Sequence, residues 1–245
     1  MTPNDDFTAA PQSPAPAPET PFWNYLDLIF LISVVLPSLF VGALLVRAIS
    51  GILPIVKPSQ ALLAQLIAYA LIFGCLYALL RARYGQPFWR SLGWNVRVPS
   101  ATLSLLAGPL LAISVGYLGY ILRAPEIEIP FRQMLQDRST LIFFGIFVVG
   151  LGPLCEELAF RGFLMPLLMR SFTSVPGIVL TGALFGALHG SEYSWSWRHI
   201  LLVAIAGTVF GWVRYRTGST AAATFMHSSY NLTQFAFFVI QTRTA

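Results

Sequence analysis

Three sets of residues stand at helical spacing inside otherwise apolar stretches. They are Glu156 and Glu157 with Arg161 in GPLCEELAFRG, Phe185 with His189 in FGALH, and His227 with Asn231 in HSSYN. Residues four apart share a helix face, so each set points its side chains one way. The chain holds only ten acidic residues in 245, and burying a carboxylate near lipid costs roughly 2.5–3.5 kcal/mol. Two adjacent glutamates in such a run need an internal partner or a task. Glu157 precedes Arg161 by four residues, the favoured order for an ion pair on a helix. Glu156 is rotated about 100° from it and has Phe160, not a cation, four residues on. A carboxylate without a cationic partner is free to take a proton from water, the task of a general base.

Each set also has a plainer reading. His189 closes the apolar stretch LTGALFGALH and would serve as a cap or packing residue, and His227 with Asn231 would tie helices by hydrogen bonds worth about 0.6–2 kcal/mol in membranes. A lone membrane glutamate also fits a proton relay. The combination carries more than its parts. A carboxylate, two imidazoles and a carboxamide from three helices can hold one water. Glu156 and His189 would deprotonate it, while His227 and Asn231 donate to a developing oxyanion. The same four side chains, Glu156, His189, His227 and Asn231, could instead hold a divalent metal such as zinc with one position open. Both chemistries stay open on the residues alone. The third histidine, His199, sits beside Arg198 at the start of an apolar segment and reads as an interface residue.

These side chains must be positioned by membrane spans. The chain is 56% hydrophobic and 10% charged, with mean hydropathy +0.69, whereas soluble domains carry about 25% charged residues. The composition predicts an all-α, polytopic transmembrane helical bundle of about seven spans (six to eight), with the site built by the C-terminal helices. A span needs about 20 mostly apolar residues, and the candidates are 25–46, 60–80, 101–122, 139–155, 175–190, 199–213 and 220–240. Three regions follow: a disordered Pro/Ala-rich tail over 1–21, N-terminal spans and loops over 22–138, and a site-bearing core over 139–241. The tail holds six prolines, and its first charges are Asp5 and Asp6, so it is not read as a signal peptide. Residues 84–98 read as an interfacial segment, and 124–138 as a surface loop or short amphipathic helix. All six tryptophans fall near segment ends, where indole prefers the headgroup level.

The net charge of +5 comes from 14 arginines and one lysine against ten acids. These cations fall in the connecting loops, as beside anionic headgroups, so lipid and not nucleic acid is the expected partner. The densest cluster, Arg81, Arg83, Arg90 and Arg97, places the N-terminus in the cytoplasm of a bacterial inner membrane, by eight basic residues to seven. The Arg-rich usage points to a bacterial source. Cys75 and Cys155 lie in apolar segments and form neither CxxC nor a disulfide framework.

In order and internal spacing, EExxxR (Glu156, Glu157, Arg161), FxxxH (Phe185, His189) and HxxxN (His227, Asn231) resemble the motifs of the CPBP family. That family includes CAAX prenyl endopeptidases of the Ras-converting type and bacteriocin-processing and self-immunity proteins. The resemblance covers about residues 139–240, and the first 138 residues share only a generic run of spans. It implies an intramembrane endopeptidase acting on membrane-associated peptides, CAAX-like or leader-peptide in kind, by either a metallo or a glutamic mechanism. Glu156 and His189 would then activate water and His227 with Asn231 would stabilise the oxyanion, supported by Glu157, Arg161 and Phe185. The rivals are a catalytically silent binding or immunity protein of the same fold and, behind it, a proton-coupled transporter. HExxH is absent, which disfavours a zincin. Ser219 and His227 lie too far apart on one helix for a serine pair. Cys155 reads as packing.

Overall fold

The structure is a computed structural model and describes residues 21–53, 55–126 and 138–244. The tail read over 1–21 and the loop read over 124–138 fall almost wholly outside the described residues. Among those described, the chain is all-helical, with no strand. Helix α1 (Tyr25–Ser50) begins at a capping box, in which Asn24 accepts from the amides of Leu26 and Asp27 while the Asp27 carboxylate takes the Asn24 N–H. Helix α2 (Lys57–Ala78) runs on through a widened turn, Leu79–Arg83. A short helix α3 (Phe88–Ser91) precedes α4 (Val98–Ile121). The long rod α5 (Arg138–Phe172) follows, then α6 (Ser174–Leu188), α7 (Trp197–Thr217) and α8 (Thr220–Thr244).

Five of these helices, α1, α2, α4, α5 and α7, are long and apolar enough to cross a membrane. Outward faces that expose Leu36, Phe40, Leu106 and Tyr120 suit a lipid surround. Helix α6 is apolar but short. Helix α8 is long, but its first half turns polar residues into the bundle: Thr220, Thr224, His227 and Ser229 are buried, as is Ser219 just ahead of it. The chain is an integral membrane protein.

Three sequence expectations change in detail. The span expected over 139–155 does not stop at the glutamates. Its helix continues to Phe172 and ends at Thr173, whose φ of 67° leaves the helical region. The polarity of Glu156–Glu157 therefore marks the middle of a rod and not its end. Segment 84–98 does not merely lie on the surface, because Phe88 and Leu92 tuck into a core cluster with Leu76, Leu80, Phe163 and Leu167. Trp23 is no interface anchor. It is 1% exposed, stacks on Phe163 at 5.2 Å and donates its indole N–H to the Phe163 carbonyl at 3.1 Å.

Helix α8 lies among α4, α5 and α7, and its start is pinned. Thr220 donates its hydroxyl to the Leu92 carbonyl at 2.6 Å and its amide to the Gly93 carbonyl at 3.0 Å. Ser219 donates to the Asn95 carbonyl and accepts the Ala222 amide, so its hydroxyl is an N-cap, not a nucleophile. Farther along, α8 meets α4 at Gly108, where backbones touch as small residues allow in membranes. A Cβ there would overlap Ser229 Oγ and crowd the Met226 carbonyl and Tyr230 amide, which are backbone atoms that cannot swing away.

The same helix offers a control, since a Cβ at Gly116 meets nothing within 4 Å. Gly108→Ala is expected to cost about 1–3 kcal/mol by overpacking, seen as a lower Tm in detergent. Gly116→Ala should leave Tm unchanged or raise it. Equal melting of the two variants would show that α4 and α8 are not in backbone contact.

Candidate active site

Rod α5 presents its glutamates from an α-helical stretch, Gly152–Glu157, between two widened turns, Phe147–Leu151 and Leu158–Leu164. Such turns recur at functional sites because they re-aim side chains without ending the helix. The first has a covalent cause. Pro153 lacks an N–H and its ring crowds the preceding turn, and the Gly152 amide reaches back five residues to the Phe147 carbonyl.

Glu157 and Arg161 form the ion pair their spacing predicts, Nη1 to Oε1 at 2.9 Å, with both side chains fully buried. Glu157 does more than neutralise the arginine. Its Oε1 also accepts from His227 Nδ1 at 2.9 Å, across 70 residues of sequence. Arg161 sends Nη2 to the Gly207 carbonyl at 2.6 Å, and its guanidinium stands 4.6 Å from the Phe185 ring and 5.5 Å from Phe210. One carboxylate and one guanidinium thus tie α5, α7 and α8 together. Gly207 is where α7 can come this close, since a Cβ there would lie 2.9 Å from Phe185 Cδ1 and 3.1 Å from Arg161 Nη2.

These contacts set the chemistry of the imidazoles. A carboxylate already paired with arginine can only accept, so His227 Nδ1 carries its proton and Nε2 is the free end. That end faces Glu156 Oε2 at 3.8 Å. Phe210 stacks on the His227 ring at 4.5 Å and Phe185 meets it edge-on at 5.8 Å, which holds the ring plane. Glu156 keeps a quarter of its side chain exposed, while Glu157 has none. The reachable carboxylate and the sealed one are neighbours in sequence with opposite environments.

His189 caps the end of α6, and its Nδ1 donates to the Phe185 carbonyl at 2.7 Å. Its Nε2 is therefore also the unengaged nitrogen in the neutral ring. Its ring packs on Phe185 at 4.4 Å, so Phe185 lies between both imidazoles and the arginine. Asn231 is placed differently. Its Nδ2 donates to the Val148 carbonyl at 2.8 Å, in the widened turn before the glutamates. The structure thus gathers Glu156, Glu157, Arg161, Phe185 and His227 directly, joins His189 through Phe185, and sets Asn231 against the rod backbone.

Two residues near the site escaped the sequence reading. Phe210, a full helical turn after Gly207, forms one wall, and only its presence in an apolar helix was visible. Glu192 follows His189 on the turn Gly190–Tyr193, with its amide on the His189 carbonyl at 3.1 Å. Although Glu192 keeps an exposed face, its surroundings raise its carboxyl above the ordinary carboxylate value. Partial loss of water is the main cause, Glu156 adds to it, and the His189 charge opposes it. The acidic residue in HGSE was the available signal. His199 stacks on Tyr193 at 5.0 Å and contacts Ser196, consistent with a packing role at the loop.

The four residues considered for a divalent metal do not fit one as placed. Among the described residues no group of three or more His, Cys, Asp or Glu side chains is gathered closely enough to hold an ion, and catalytic zinc takes three protein ligands.

The chain is an all-α membrane bundle with a carboxylate–imidazole cluster inside its C-terminal helices. The family model of the type II CAAX prenyl endopeptidase Rce1-like proteins matches residues 138–233, less than half of the chain. The match spans α5 to most of α8 and contains every residue of the cluster. No curated protein and no solved structure matches the chain.

Removing the Glu157 charge leaves Arg161 buried without its counterion, a change that typically costs about 3–5 kcal/mol. Glu157→Gln is therefore expected to lower Tm markedly, and Glu157→Gln/Arg161→Met to recover much of the loss. A Glu157→Gln protein that melts like wild type would show that the pair does not hold the bundle together.

Proposed function

We propose that the protein is an endopeptidase cleaving membrane-associated peptides with a water activated by Glu156 and His189. The observation that carries this reading is the 2.9 Å contact between His227 Nδ1 and Glu157 Oε1. Because Glu157 holds Nδ1, Nε2 is aimed at the same space as the partly exposed Glu156 carboxylate. A water seated there meets Glu156 as proton acceptor. His189, with Nδ1 on a carbonyl, presents a basic Nε2 to relay that proton toward the leaving amine.

His227 then takes the second role. With a second proton taken up from solvent before the substrate binds, His227 enters as the imidazolium and donates from Nε2 to the oxygen of the tetrahedral intermediate, while Glu157 stabilises its charge from behind. Phe185 and Phe210 keep bulk water from this face, which strengthens the donor's effect at low dielectric. Residues from α5, α6 and α8 supply all the polar atoms, so the N-terminal helices serve to hold the rod and not to react. The substrate follows from the setting: a peptide that approaches from the lipid or its surface, of CAAX-like or leader-peptide kind. A silent binder would need a groove but not this directed imidazole, and the directed imidazole favours turnover.

The test is cleavage of a library of membrane-anchored peptides by purified protein in liposomes, with and without chelator. Glu156→Gln should depress turnover by about 10²–10⁴-fold, the usual worth of a general base, while Tm stays near wild type. Most of the activity surviving in Glu156→Gln would remove Glu156 from the chemistry. Loss of turnover in chelator, restored by zinc, would reassign Glu156, His189 and His227 as ligands.

A further inference from the structure

We infer that Asn231 is a positioning residue: its amide replaces the backbone donor that Pro153 removes from rod α5, and so holds the turn that presents Glu156 and Glu157. The accounting of backbone hydrogen bonds leads there. In the widened turn Phe147–Leu151 the Phe147 carbonyl takes the amide five residues on, the Gly152 N–H. The next carbonyl, Val148, looks to residue 153, which is proline and has no N–H. The amide four residues on is Gly152, already given to Phe147.

A half-buried carbonyl left in this state inside a membrane bundle is costly. Asn231 Nδ2 reaches it from α8 at 2.8 Å, across 83 residues of sequence. The geometry suits a helix-to-helix tie, for Asn231 lies one turn after His227, whose ring holds Glu157. Helix α8 therefore grips rod α5 at two levels, through an imidazole on a side chain and an amide on a bare carbonyl. Glu156 stands three residues past the proline, on the short helical stretch whose orientation the widened turn sets. A shift in that turn rotates the glutamate relative to His227 Nε2, and the 3.8 Å separation leaves little room for error in a base.

This inference rests on the proposed role of Glu156 only where turnover is read, and amide exchange provides a readout that does not need activity. The full-length protein in detergent is compared as wild type, Asn231→Ala, Pro153→Ala and the double variant. Asn231→Ala should speed amide exchange over residues 149–157 by about tenfold or more, as expected for a lost hydrogen bond between helices, and lower turnover. Adding Pro153→Ala supplies an N–H for the Val148 carbonyl and should restore both protection and turnover. Should Asn231→Ala alone fail to fold, recovery of a folded double variant is the same expected result. Loss of turnover with unchanged exchange would overturn the inference, as would a double variant that regains no protection. Rescue of protection without rescue of turnover also overturns it, because the amide would then be acting on substrate. If wild type cleaves nothing, the exchange comparison still decides the tie, and only the proposed function fails.

Discussion

One oxygen of Glu157 carries the organisation of this bundle. It takes the Arg161 guanidinium along its own helix and the His227 ring from the last helix. Charges sealed from water persist only when paired and hydrogen-bonded, so α5, α7 and α8 are obliged to stay where the pair is complete. Arginine suits this position and lysine would not: the planar fork sends one nitrogen to the carboxylate and another to the Gly207 carbonyl while its face lies against aromatic rings. The helices approach closely because glycine stands where they meet. Stability and chemistry share one device, since the contact that closes the bundle also fixes which imidazole nitrogen is free.

The division of labour between two adjacent glutamates follows from helix geometry. One residue of rotation separates a carboxylate with no exposure from one that keeps a quarter of its surface. The sealed group is committed to charge balance, and the reachable group keeps an open side. The aromatic residues Phe185 and Phe210 complete the arrangement, for they shield the arginine and steady the histidine at once.

Much of this was legible in the residues. The composition points to a membrane bundle, and the Glu157–Arg161 spacing foretells its ion pair because both ends lie on one helix. The paired spacing of Phe185 with His189 likewise foretells their contact. What could not be read was tertiary. Nothing local says that His227 would reach Glu157 rather than Asn231's neighbours, or that the Gly207 carbonyl would receive an arginine. The widened turn over Phe147–Leu151 is hidden because an apolar run looks alike in either helical form. Pro153 was visible, but its effect depends on where the next carbonyl finds a donor. Trp23 misled for a related reason: an indole near a segment end suits an interface, unless a buried carbonyl such as that of Phe163 lies within its reach.

The attachment of the N-terminal segment to the rod has a mechanical side. Arg170 holds the carbonyls of Pro21 and Trp23, Trp23 holds Phe163, and Tyr25 reaches Ser171 and Leu167. All four rod residues lie on the half of α5 that follows the glutamates. A pull on the chain ahead of residue 21 is therefore delivered not to α1 alone but to the lever on which Glu156 and Glu157 are mounted. The wide turn Leu158–Leu164 carries Phe163, one of the gripped residues, and connects the glutamates to the rest of that grip. A load applied at residue 21 has a direct route to the helix that carries Glu156 and Glu157.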